Sequence, residues 1–132
     1  MAFISVTRLR IRRAFFLPLF FWHTSLSLRQ AKRASGNLQV KVLNSARWTF
    51  WTMTAWEDQA AMRAFMVSGS HKTAMPKLMH WCDEASVGHW EQDNATLPDW
   101  PEAHRRMVAE GRLSKVHHPS AAHLAGQIGA PD

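Results

Sequence analysis

Histidine dominates the side chains of this 132-residue chain that could move a proton or bind a metal, with eight against a single cysteine. Their surroundings separate them. His117, His118 and His123 fall in a small, polar C-terminal stretch, and His104 lies on an exposed-looking helical segment. His71 follows Ser68-Gly69-Ser70, a break at which Ser70 can cap a new helix. The positive end of that helix favours neutral imidazole, the form able to take a proton. His23 falls on the first predicted helix and His89 on the last predicted strand, and both are candidates to line a pocket. Cys82 can form no intramolecular disulfide; it reads as a small buried hydrophobe and fits a reducing, cytoplasmic compartment. No nucleophile elbow, Gly-rich phosphate loop, paired-carboxylate pattern or zinc spacing occurs. A histidine within an apolar site is the chemistry that remains.

The apolar site is suggested by the run Arg47 to Trp56, in a chain with seven tryptophans, seven phenylalanines and no tyrosine. Side chains alternate along a strand, so Trp48, Phe50 and Trp56 face one way and Trp51, Met53 and Ala55 the other. A sheet with helices on one side needs only one apolar face. Two such faces require cover on both, around a pocket or against a partner. Trp51 and Met53 are therefore expected in a ligand pocket, and a second copy of the chain is the simplest cover. An aromatic pocket suits a flat, apolar small molecule.

Hydrophobic periodicity supplies the elements that position these residues. Phe3 to Arg12 reads as a strand in which Arg8, Arg10 and Arg12 form a solvated face. Phe15 to Ala34 reads as a helix with Pro18 in its opening turn and Ser35-Gly36 as its stop. Leu17, Phe21, Thr24, Leu28 and Ala31 make its buried stripe, broadened by Leu19, Trp22 and Leu26. Leu38 to Asn44 and Arg47 to Trp56 form a hairpin. A helix from Glu57-Asp58 buries Ala61, Met62, Phe65 and Met66, and a second piece runs from His71 towards His80, kinked or restarted at Pro76. Asp83 to Glu91 is the last strand, with Gly88 marking a bulge or close approach. The order βαββαβ predicts a ferredoxin-like α+β domain over residues 1–92 with an antiparallel sheet. Residues 93–132 read as an arm, with a helix from Pro101 to Glu110 capped by Asp99 and stopped by Gly111, then a mobile tail.

Charge is uneven. Residues 1–47 carry nine Lys or Arg and no acid, and the chain's net charge is +6. Such a segment can attract nucleic acid or an anionic membrane surface. The lysine and arginines at 29–33 instead suit the negative end of a helix, which argues against nucleic acid. Arg12-Arg13 and the apolar run after it look like a signal peptide. No convincing cleavage site follows and the run is too short to span a bilayer, so it is read as part of the fold, with peripheral membrane contact the residual alternative.

The element order, with the run Trp51-Thr-Met-Thr-Ala-Trp56-Glu-Asp-Gln-Ala-Ala-Met62 and then Phe65 to Ser70-His71, resembles the dimeric α+β barrel superfamily. Within it the chain is most similar to DUF3291-type proteins, and more distantly to spheroidene monooxygenase-like and antibiotic-biosynthesis-monooxygenase-like domains. The resemblance covers about residues 3–92. It implies a homodimer whose sheets form a barrel, with a pocket between each sheet and its helices. It further implies monooxygenase-like action on an apolar aromatic or polyene molecule, with His71 as the catalytic candidate, or a non-enzymatic binding module of the same fold. Haem-degrading members carry a proximal histidine on the second helix. That position falls on Met75 here, with His71 one turn earlier, so a haem ligand, if haem binds, is His71 or Met75. The alternative is no cofactor, and no metal site is expected.

Overall fold

A computed structural model describes residues 1–131. The chain runs β1 (Ala2–Ile11), a 3-10 turn (Ala14–Phe16), α1 (Leu17–Arg33), β2 (Asn37–Ser45), β3 (Thr49–Trp56), α2 (Gln59–Met66), α3 (Gly69–Trp81), β4 (Cys82–Gln92), α4 (Trp100–Glu110), β5 (Arg112–Leu113) and α5 (Ala121–Leu124). The strands form one antiparallel sheet in the order β2-β3-β1-β4-β5. This is the ferredoxin-like α+β arrangement, with β5 added at the β4 edge. Among the described residues no helix is long and apolar enough to cross a membrane.

Local chemistry sets the boundaries. Pro18 sits in the first turn of α1. Asp58 caps α2, its carboxylate accepting from the Ala61 N–H at 2.8 Å, and Asp99 caps α4 in the same way through Glu102 at 3.0 Å. The hairpin differs from the sequence expectation. Arg47 and Trp48 are left-handed (φ 60° and 59°), so β3 starts at Thr49 and Trp48 lies half-exposed in the turn. Helix α1 buries Phe20 and Ala31 most deeply, and leaves Leu19, Phe21 and Trp22 well exposed. Pro76 does not break α3, which runs through it.

The central strands are buried on both faces. On the inner side, α1, α2 and α3 pack over Phe3, Leu9, Phe50 and Trp56. On the outer side, Ile4, Val6, Trp51, Met53, Ala55 and Trp90 form one core with Ala103 and Met107 of α4, and Trp100 and Ile128 pack against it. Gly88 lies directly beneath α4, where an added Cβ would stand 3.5 Å from the Met107 Cα. The cover for the outward row of β3 thus comes from the same chain. Its apolar pattern alone does not call for a second copy, contrary to the sequence expectation.

The segment after α4 is tied back to the domain as far as Ser120. Backbone N–H groups of Ser114, His117 and Ser120 donate to Ala85, Met79 and Asp83 at 2.9–3.0 Å, and the Ser120 hydroxyl donates to Glu84 at 2.7 Å. These bonds add to the packing of Val116 and Ile128 against the two sides of the sheet. Arg8 is corrected too. Far from solvated, it is 7% exposed and donates to Glu84 at 2.7 Å, and Arg10 reaches the same carboxylate at 2.9 Å.

Met107 has no exposed surface and receives a hydrogen bond from the Ser86 hydroxyl at 3.1 Å. If α4 belongs to the cooperative unit, Met107→Ala costs about 2–5 kcal/mol of unfolding free energy, the range for truncating a core methionine. Urea denaturation measures this; an unchanged midpoint would detach α4 from the fold.

Candidate functional site

Alternation along the strands builds the floor of a cavity. Ser5, Thr7 and Leu9 of β1, Thr52, Thr54 and Trp56 of β3, and Val87 of β4 all project to the inner side. The floor is thus rich in hydroxyls. The roof is apolar and soft, because Met62, Met66, Met75 and Met79 supply four of the chain's seven methionines. Leu28 and Ala31 of α1, Phe65 of α2 and Leu78 of α3 extend it, with Thr24 and Ser27 of α1 adding two hydroxyls. The enclosed volume is about 180 Å³. That is close to the roughly 150 Å³ apolar cavity that accepts benzene, and below the roughly 300–1,000 Å³ of drug-sized sites.

His71 lines this cavity, and its posture is set by α1. Ser68 is the N-cap residue of α3, yet its side chain makes no capping bond and Ser70 does not cap the helix. The cap comes instead from another helix: the Gln30 carbonyl oxygen accepts from the His71 N–H at 2.9 Å. The same amide donates to the Ser68 carbonyl at 2.8 Å, so Gln30 holds the junction from both sides. Gly69 adopts φ +57°, and an added Cβ would stand 3.1 Å from the Gln30 amide. Only glycine meets both conditions comfortably. Sequence reasoning did not find Gln30, because nothing local distinguishes a glutamine that bridges elements.

The His71 ring is fixed as well. Nδ1 lies 3.0 Å from the Met66 carbonyl, and the Phe65 ring centroid is 4.6 Å away. A carbonyl can only accept, so Nδ1 carries the proton and Nε2 the lone pair. Burial pushes the imidazole pKa below 6.5, against the opposing effect of the Met66 bond. Burial, rather than the helix end expected from the sequence, is thus the main cause. The result is a neutral base inside an apolar cavity.

The other candidates separate by face. His23 and Met75 line the cavity, His23 with its ring 5.5 Å from Trp81. His89 is on the inner face but beyond the cavity lining, tilted against Phe3 at 5.5 Å. Trp51 and Met53, expected in the pocket, are instead wholly buried in the outer core under α4. Their odd positions point away from the helices, and Trp56 is the tryptophan that reaches the cavity. Cys82 is buried, its thiol pushed up to about 12 by burial and then by the charge of Asp83, so it is no nucleophile.

A second, more open depression of about 790 Å³ lies on the outer side, lined by Arg8, Arg10, Arg47, Glu84 and residues 127–130. It is larger, but much of its charge is already spent. Burial raises the Glu84 pKa, yet hydrogen bonds from Arg8 and Ser120 and the charges of both arginines outweigh this and hold it below the usual range. The smaller inner cavity is the better candidate because it is less open and holds a free base. At about 180 Å³ it is smaller than the roughly 300–1,000 Å³ sites of drug-sized ligands, the class to which a porphyrin belongs. Among the described residues no cluster of three or more His, Cys, Asp or Glu is placed to hold a metal ion.

The family model described as "Domain of unknown function (DUF3291)" matches residues 9–115. No curated protein sequence matches the chain. Among solved structures, SnoaB, a cofactor-independent oxygenase from Streptomyces nogalater, is similar at 16% identity and TM-score 0.60, covering 74% of this chain and 98% of its own. A protein from Nitrosomonas europaea proposed to be an antibiotic biosynthesis monooxygenase gives 16% identity and TM-score 0.63 over 73% and 94% of the two chains. A conserved protein from Methanosarcina mazei gives 14% and 0.63 over 70% and 94%. At these identities the likeness is one of fold.

The lowered pKa of His71 has a stability consequence. Above 6.5 the ring is neutral in both states, and its contribution is fully present. As pH falls through 6.5 the unfolded chain binds the proton first, so stability declines with acidification. The urea midpoint is therefore expected to drop between pH 7.5 and pH 5.5, and to drop less in His71→Gln. Equal drops in both proteins would place His71 in water.

Proposed function

The chain belongs to the DUF3291 family, and from that footing we propose that it is a cofactor-independent oxygenase of a small, largely apolar aromatic molecule. One observation carries the reading: a neutral His71, with Nδ1 engaged by the Met66 carbonyl, lines a largely apolar, partly open cavity. The likeness in fold to SnoaB supports it. So does the size of the cavity, which suits one or two rings better than a porphyrin or the length of a polyene.

His71 Nε2 accepts a proton from an activated methylene or hydroxyl of the substrate. The carbanion or phenolate formed is electron-rich enough to reduce dioxygen directly. For a methylene between unsaturated groups, CH2 and O2 give C=O and H2O, and the substrate supplies all the electrons. The apolar roof keeps bulk water from reprotonating the anion. The hydroxyls of Ser5, Thr7, Thr52 and Thr54 can donate to the oxygen on which charge gathers.

A binding module without turnover is the second reading. It is favoured by the lining itself, in which no carboxylate or cysteine occurs among the described residues. Oxygen uptake separates the two. With hydroxylated one- and two-ring aromatics, an oxygenase consumes dioxygen, and His71→Ala lowers kcat about 10²-fold or more, the usual contribution of a general base. Cys82→Ala leaves it unchanged. Saturable binding with no oxygen uptake would leave the module, and uptake indifferent to His71→Ala would remove that residue from the chemistry.

A further inference from the structure

The roof and floor of the cavity are neutral, and one edge is not. Arg112 is the only lining residue, among those described, that carries a full charge at neutral pH. Its placement is built in. β5 pairs with β4 so that Arg112 stands opposite Val87, and directly opposed residues project to the same side of a sheet. Val87 lines the cavity, so the arginine is delivered to that face while Leu113 turns away. Gly111 makes this possible. A Cβ there would meet the Met107 carbonyl oxygen at 2.5 Å and that of Val87 at 2.8 Å, so any larger residue would push β5 off the sheet.

Arg112 is exposed at the mouth of the cavity, and its guanidinium is open to a ligand from solvent. Among the described residues Arg112 makes no ion pair. The field at this edge acts on His89, whose pKa is lowered by burial first and then by the charges of Arg112 and Arg63. The buried His89 Nε2 also lacks a hydrogen-bond partner. An apolar cavity needs no such edge for a purely hydrocarbon ligand, whereas five fixed donors on a planar fork match an oxyanion.

We propose that the ligand of this cavity carries a carboxylate on its aromatic ring system, held at the β5 edge by Arg112. The inference rests on the cavity being a ligand site, and it narrows the substrate class to small aromatic acids. Arg112 orients the ring under His71; it is a positioning residue and takes no part in proton transfer.

The test is calorimetric and uses two probes of one shape, 2-naphthoate and its neutral isostere 2-naphthamide. The intact protein is expected to bind the acid about tenfold more tightly than the amide, a preference that shrinks with added salt. Arg112→Gln removes that preference while leaving amide affinity in place, and Arg112→Lys restores part of it. Ala74→Leu, which fills the cavity, weakens both probes. Equal binding of acid and amide to the unaltered protein, or an acid preference that survives Arg112→Gln, would overturn the role of Arg112 and leave the cavity standing. Absence of binding by either probe would overturn the cavity itself, and the charge inference with it.

Discussion

Burial of β1 and β3 on both faces is the constraint from which the rest of this molecule follows. A strand pair so placed cannot stand at the surface of a two-layer domain, so the chain must supply cover twice. Helices α1, α2 and α3 cover the inner side, while α4 and Ile128 cover the outer. The two covers are unlike. Outside, Trp51 and Met53 share one buried core with Met107, in an interior where each large apolar side chain contributes about 1.5–3 kcal/mol. Inside, small hydroxyl residues of the floor meet flexible methionines of the roof, and the mismatch leaves the cavity.

The charges are sorted by the same division. The outer side holds Arg8 and Arg10 around Glu84, a group of ions whose partners also tie down the C-terminal segment through Ser120. Removing one member of such a set leaves its partner buried and unpaired, which makes the set a lock on geometry more than a source of stability. The cavity lining on the inner side is almost free of charge, and His71 and Arg112 are the groups there that bear on chemistry. His71 owes its neutral state to that surrounding and its orientation to two backbone-directed bonds. Arg112 owes its place to a two-residue strand that exists because Gly111 lets α4 stop against β4.

Local rules decided much of this before any folding was known. Period-two and helical patterns gave the βαββαβ order, the helix start at Glu57-Asp58, the cap at Asp99 and the stops at Gly36 and Gly111 were all legible, and two apolar faces on β3 were visible from Trp51 to Trp56. Such features are set by residues within a few positions of one another. Tertiary structure alone decided what lay against each face. That α4 rather than another copy covers Trp51, that Arg8 is an ion-pair core rather than a wet face, and that Gln30 caps α3 depend on segments separated by tens of residues. Burial, and with it the pKa of His71, is a property of such encounters, and no stretch of sequence contains them.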